Sequence, residues 1–218
     1  MLKTERMDRV RAALRAQGLT QMIVCDPKSV WYLTGVAVEP YERLLALYLP
    51  TEGEPVLFLN RLFNVPEPPC RTVWHTDTDK PVAQIAEVVD AGRPLGIDKE
   101  WPAKFLIPLM ETHPGMQVVL SSDCVDDCRA CKDAEEQALM REASRINDAV
   151  NEAAKHYIKV GMTEREVAEF IDAQYRAHGC EGPSFTTIVS FGANAADPHH
   201  EPDDTVLKEG DCVLFDMG

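Results

Sequence analysis

The apolar positions of this 218-residue chain change period several times, and each change marks an element. In residues 5–17, Met7, Val10 and Leu14 recur at helical spacing, and Gly18 suits the position after a helix end. "QMIVC" (21–25) is a short apolar run that predicts a buried strand, and "DPKS" after it predicts a turn. "LLALYLP" (44–50), "TEGE" (51–54) and "PVLFLN" (55–60) predict strand, turn, strand. Further on, helical pattern is expected over 80–90 and 102–111, and strands at "PLGID" (94–98) and "QVVLS" (117–121). Strands mixed with helices over about 120 residues predict an α/β domain.

The pattern shifts near Cys124–Lys132. From Asp133 to Ile158 the positions Leu139, Met140, Ala143, Ile146, Val150 and Ala154 hold a 3.6-residue period, which predicts one long helix. Gly161 ends it. Thr163 and Glu166 have capping-box spacing for a second helix, whose apolar face is Val167, Phe170, Ile171 and Tyr175 and whose stop is Gly179. "SFTTIVSFG" (184–192) is β-rich, and "CVLFDMG" reads as a strand after the turn "KEGD". The domain boundary is placed within 122–132, giving domains 1–125 and 126–218.

Composition excludes several classes. The hydrophobic share of 45% and charged share of 27% are ordinary for a globular chain that buries a core. The net charge is −14, which opposes a nucleic-acid footprint and an anionic membrane surface. No apolar run nears the roughly 20 residues of a membrane span. The N-terminus has no signal-peptide core. Seven scattered cysteines are an odd number for a disulfide framework and suggest a reducing cytoplasm.

The chemistry concentrates after residue 184. Asp216 shares one strand face with Cys212 and Leu214, while Val213, Phe215 and Met217 form the other. Both faces are apolar, so a central strand is expected. A carboxylate there loses hydration unless a partner such as a hard cation restores it. The alternative is a strand-end residue facing water. Pro198 and Pro202 stiffen the loop holding His199 and His200, so an imidazole there can be held as a donor or proton carrier. Two solvated loop histidines are the plainer reading. Cys124, Cys128 and Cys131 have C-x3-C-x2-C spacing, but the acidic run around them disfavours an anionic thiolate cluster. Free thiols in a connector are expected instead.

The segment "SFTTIVSFGANAADPHHEPDDTVLKEGDCVLFDMG" resembles the Xaa-Pro peptidases of the creatinase/methionine-aminopeptidase superfamily, the pita-bread metallohydrolases. It carries their "SF-x-x-IV-x-x-G-x-N", the "PH" with a downstream Pro, and "GD-x-V-x-x-D-x-G". "EEQALMREASRINDA" and "GMTEREVAEFID" look like that family's first catalytic-domain helices, and "DPKSVWYLTG" and "ERLLALYLP" like its N-terminal domain.

The resemblance implies an N-terminal creatinase-type mixed-sheet α/β domain followed by the first part of a pita-bread α+β domain. It implies that His199 hydrogen-bonds substrate and that Asp216 is the first metal ligand. His200 receives no catalytic role. The family's remaining ligands are a second aspartate, a histidine and two glutamates further on. Together they hold two divalent ions (Mn, Co or Zn) bridged by a hydroxide. Those four ligands are absent here, so the chain is expected to be a truncated fragment that binds no complete ion pair and hydrolyses no peptide. The implied full-length activity is cleavage of Xaa-Pro bonds in dipeptides or at peptide N-termini, by a cytoplasmic homodimer acting on proline-containing peptides. In relatives the loop "GVAVEPYER" (35–43) can reach a partner's active site, which makes Glu39, Tyr41 and Arg43 candidates for substrate contact. An ordinary polar loop is the alternative. Creatinase-like hydrolases or lyases, and a non-catalytic dimerising module, remain as competing functions.

Overall fold

The computed structural model describes residues 3–218 and divides into two units, Met1–Lys132 and Asp133–Gly218. In the first unit the order is α1 (Thr4–Ala16), β1 (Gln21–Val24), α2 (Pro27–Thr34), β2 (Ala46–Pro50), β3 (Val56–Asn60), β4 (Arg71–His75), α3 (Pro81–Ala86), β5 (Leu95–Ile97), α4 (Ala103–Thr112), β6 (Val118–Leu120) and α5 (Asp123–Ala130). The six strands form one mixed sheet in the order β4-β3-β2-β1-β5-β6. β2 runs antiparallel to β1 and β3, while β3/β4, β1/β5 and β5/β6 are parallel.

Alternation along the inner strands explains their unbroken apolar runs. Met22 and Val24 of β1 face one core, and Ile23 and Cys25 face the other. In β3, Leu57 and Leu59 take the first side, and Val56 and Phe58 the second. The first side is covered by Met7, Val10 and Leu14 of α1, Val30 and Leu33 of α2, and Cys124 and Val125 of α5. The second is covered by Ile85 of α3 and Leu109 of α4. A sheet covered on both faces needs apolar residues at consecutive positions, the pattern that parallel pairing demands.

Three stretches depart from the expectation. "DPKS" begins a helix rather than a turn: Asp26 caps α2 through the Ser29 amide at 2.9 Å, and Pro27 occupies its first turn. Asp-Pro at a helix start does what a turn does locally, since both need an acceptor side chain and a fixed φ. Residues 71–75 form the strand β4. The cysteine-rich stretch is helix α5, and Cys124 and Val125 enter the first core. It is therefore part of the first unit rather than a connector, and the units divide at Lys132/Asp133 rather than at 125/126. Its cysteines are free thiols, and burial pushes the Cys124 thiol up to about 11.

The second unit contains α6 (Ala134–Tyr157), α7 (Glu164–Ala177), β7 (Ile188–Phe191), a 3-10 turn (Gly192–Ala196) and β8 (Val213–Asp216). Capping boxes open both helices: Asp133 with Glu136, and Thr163 with Glu166. Val150 and Ala154 of α6, Val167, Ile171 and Tyr175 of α7, and Val189 and Phe191 of β7 form its core. β7 and β8 pair antiparallel, with Ile188 opposite Asp216 and Phe191 opposite Val213.

Among the described residues β8 does not take the central position expected of it and pairs only with β7. Phe215 and Met217 lean on the unit's core, whereas Asp216 on the other face is exposed. The residue alternation is as expected, but on the face of β8 away from that core Leu214 is only half-buried and Cys212 and Asp216 are exposed among the described residues. Leu139 and Met140 of α6 are likewise 65% and 56% exposed although they lie on the predicted apolar stripe. No helix among the described residues is long and apolar enough to cross a membrane.

Candidate functional site

The loop between β7 and β8 is built against the start of α7. Segment 203–207 crosses that helix end and satisfies amides that the helix itself leaves free. Glu164 N donates to Thr205 O and Arg165 N to Asp203 O, while Gly161 N donates to Leu207 O and Leu207 N to Met162 O. Thr163 and Val206 form an antiparallel bridge.

At the centre is Glu164, the first residue of α7, with a fully buried side chain. Its Oε1 accepts from Phe191 N at 2.7 Å and from Asn194 Nδ2 at 3.0 Å. Its Oε2 accepts from His200 Nε2 at 2.6 Å and from Asp203 N at 3.2 Å. A buried carboxylate is costly unless its lone pairs are filled, and here each oxygen has two donors. The helix N-terminus adds a favourable field. Asn194 Nδ2 also donates to Thr205 Oγ1 at 3.1 Å.

His200 must carry its proton on Nε2 to donate to Glu164, so the Asn194 amide, 3.1 Å away, is a neighbour of that nitrogen and not its donor. The Glu164 carboxylate holds His200 above its ordinary pKa, with Asp203 and Asp197 adding to the effect. Thr205 and its backbone amide hold Asp203 below the usual carboxylate range.

His199 and Asp216 lie in this unit, and both are exposed. His199 sits in the proline-flanked loop, where its backbone amide donates to Asp197 Oδ1 at 3.0 Å. Asp216 ends β8, and its carboxylate takes no hydrogen bond or ion pair among the described residues. Two acidic groups thus behave in opposite ways. Glu164, His200 and Asp203 lie close enough together to suggest a metal triad, but the Glu164 oxygens and the His200 nitrogen are already committed to one another. An ion there would have to break a 2.6 Å hydrogen bond. Asp216 has its oxygens available, which suits a hard cation.

Glu39, Tyr41 and Arg43 belong to the first unit. They line a cleft of about 400 Å³ with Asp26, Asp98 and Trp101, beyond the ends of the parallel strands β1 and β5. Tyr41 is 80% exposed and has φ of 49°, in the left-handed region. Arg43 is engaged: Nε and Nη2 donate to the two Asp77 oxygens at 3.0 and 2.9 Å. The Arg43 guanidinium holds the Asp77 carboxyl below its usual range.

Sequence reasoning missed Glu164 and left His200 without a role. In sequence, Glu164 is an ordinary first-turn acid after a capping threonine. Only the return of residues 203–207 across the helix end buries it.

Comparison with known proteins identifies the family. Residues 6–131 match the creatinase/prolidase N-terminal domain, and residues 138–218 match metallopeptidase family M24. The chain belongs to this family of creatinase/prolidase-type metallopeptidases. It is 28% identical over 213 residues to an uncharacterized peptidase of Staphylococcus epidermidis, covering 96% of this chain and 60% of that protein. Among solved structures it is similar to the dipeptidase PepE of Mycobacterium ulcerans, with 30% identity and a TM-score of 0.88 over 99% of this chain and 60% of that one. It is also similar to the prolidase of Thermococcus sibiricus, with 27% identity and a TM-score of 0.90 over 100% of this chain and 62% of the other. The chain therefore spans about 60% of the length of these relatives.

Proposed function

We propose that this chain supplies the substrate-binding histidine and the first metal ligand of a peptidase cleaving Xaa-Pro bonds in dipeptides or at peptide N-termini. The observation that carries this reading is the Asp216 carboxylate, exposed at the end of β8 and without a protein partner among the described residues, inside the segment matched by family M24. An acid left unpaired at a strand end is suited to oxygen ligation of Mn, Co or Zn. A divalent ion at such a site supplies Lewis-acid polarisation of the scissile carbonyl and a nucleophile at neutral pH.

The chain's own residues have separate tasks. Asp216 would hold the ion through carboxylate oxygen. His199, on a loop restricted by Pro198 and Pro202, donates a hydrogen bond to the bound peptide. Tyr41 and Arg43 contact the substrate side chain or close over it within a homodimer. The resemblance assigns the remaining ligands to residues this chain does not contain, so the 218 residues alone hold no complete ion pair and turn over no peptide.

The test pairs calorimetric Mn²⁺ titration with hydrolysis of Xaa-Pro dipeptides, on this chain and on a polypeptide of the relatives' length that contains it. The longer polypeptide should bind the ion and cleave. Asp216→Asn should weaken ion binding, and His199→Ala should preserve binding while lowering turnover. Failure of the longer polypeptide to bind any divalent ion would overturn the reading, and peptide cleavage by the 218 residues alone would overturn the division of ligands.

A further inference from the structure

The bonds to Glu164 come from both sides of His199. Phe191 N and the Asn194 side chain precede it in sequence; His200 Nε2 and Asp203 N lie after it. One buried carboxylate therefore closes a loop of thirteen residues, from Phe191 to Asp203, with His199 near its tip. Three of these four donors would satisfy a static fold. The fourth, His200, is titratable and adjoins His199 in the chain. Its side chain is 16% exposed, so solvent protons reach it. The charged groups facing it are Glu164 from α7 and Asp203 and Asp197 from the loop, all acidic.

We infer that Glu164 and His200 act as positioning residues, a clamp that fixes the His199 loop and tightens when His200 is protonated. The inference rests on the reading of His199 as the substrate-side histidine. An imidazolium donating to a buried carboxylate is a charge-assisted bond, stronger than its neutral counterpart. With His200 neutral the same Nε2–H contact persists only as the weaker form, and the tautomer with the proton on Nδ1 loses it altogether. The loop is thus held most firmly in mildly acidic solution and loosens as pH rises through the His200 titration. His199 itself makes no side-chain bond to the clamp among the described residues, so its ring is steadied only through the backbone on either side.

Amide hydrogen exchange on the 218-residue chain, expressed as protection relative to intrinsic rates, tests this without peptide hydrolysis. In the unsubstituted protein, protection at His200 and Asp203 should fall about tenfold across the His200 titration followed by NMR, while Val150 and Ile171 in the helices stay constant. His200→Gln keeps a donor toward Glu164 but cannot titrate, so its loop protection should be flat with pH. Glu164→Gln should lower protection at Phe191 and Asp203 about tenfold and bring the His200 titration closer to its ordinary range. A flat profile in the unsubstituted protein, or a pH dependence that survives in His200→Gln, overturns the clamp. Equal loss at Val150 and Ile171 in Glu164→Gln reduces Glu164 to a general structural residue and overturns it too. If Glu164→Gln does not fold, the comparison with His200→Gln decides. Because no arm measures catalysis, absence of ion binding and peptidase activity in the polypeptide of the relatives' length would sink the functional reading and leave this result standing.

Discussion

A Cβ built on Gly96 of β5 would lie 2.5 Å from Ser121 Oγ. It would also approach Gln21 O at 3.2 Å and Met22 Cβ at 3.3 Å. Gly96 is registered between Met22 of β1 and Val119 of β6, so the glycine is there for space, not for an unusual φ. Gly96→Ala should destabilise the first unit by about 1–3 kcal/mol, the cost of overpacking. Ser121 is buried, and its hydroxyl has no hydrogen-bond partner among the described residues. Ser121→Ala alone should therefore cost little and should recover part of the Gly96→Ala loss. Urea denaturation of the two single variants and the double variant measures the coupling. Additive effects would show that Ser121 is not what excludes the side chain.

The His200–Glu164 pair predicts a direction for stability against pH. An unfolded imidazole titrates near 6.5, and the Glu164 carboxylate raises the folded value above this. Protonated His200 therefore stabilises the folded state fully below about pH 6.5, and that contribution disappears as pH climbs through the higher folded value. The melting temperature of the unsubstituted protein minus that of His200→Gln should be largest in mild acid and should shrink toward alkaline pH. A difference growing with pH would mean that His200 is held neutral instead.

Thr163 opens α7 and accepts from Glu166 N at 3.2 Å, while Glu166 Oε2 accepts from Thr163 N at 2.8 Å. Thr163→Ala removes one half of the box and should cost about 1 kcal/mol, with Thr163→Ser recovering most of it. Chemical denaturation checks both. Because the bridge from Thr163 to Val206 uses backbone, a much larger loss would mean that the cap also holds the 203–207 segment.

Arg43→Ala removes both guanidinium bonds to Asp77. The Asp77 carboxyl should then titrate closer to the ordinary carboxylate range, though Asn60 Nδ2 still donates to it at 2.8 Å. NMR titration of the side-chain carboxyl reports this directly. In an active polypeptide of the relatives' length, the same substitution should raise KM if Arg43 meets the substrate; unchanged KM with a shifted Asp77 would confine Arg43 to its ion pair.

Much of the architecture comes from short-range patterns. Unbroken apolar runs at 21–25 and 55–60 fix strands buried on both faces, because each consecutive side chain needs a core. The periods in 133–158 and 163–178, with a capping residue before each and glycine after, fix α6 and α7 to within a residue or two. Asp-Pro before α2 and the acidic opening of α5 were harder to read, since an N-cap and a turn use the same residues and differ only in whether the next residues continue a helix. The motif around His199 and Asp216 was legible because its spacing is specific. What no local pattern carries is the environment of those side chains. Whether Asp216 is buried depends on which strands flank β8, and whether Glu164 is a solvated helix-start acid or a saturated hub depends on residues 191–203 returning to meet it. Periodicity records which way a residue points, whereas burial and hydrogen bonding depend on segments distant in sequence, and only the folded chain brings those together.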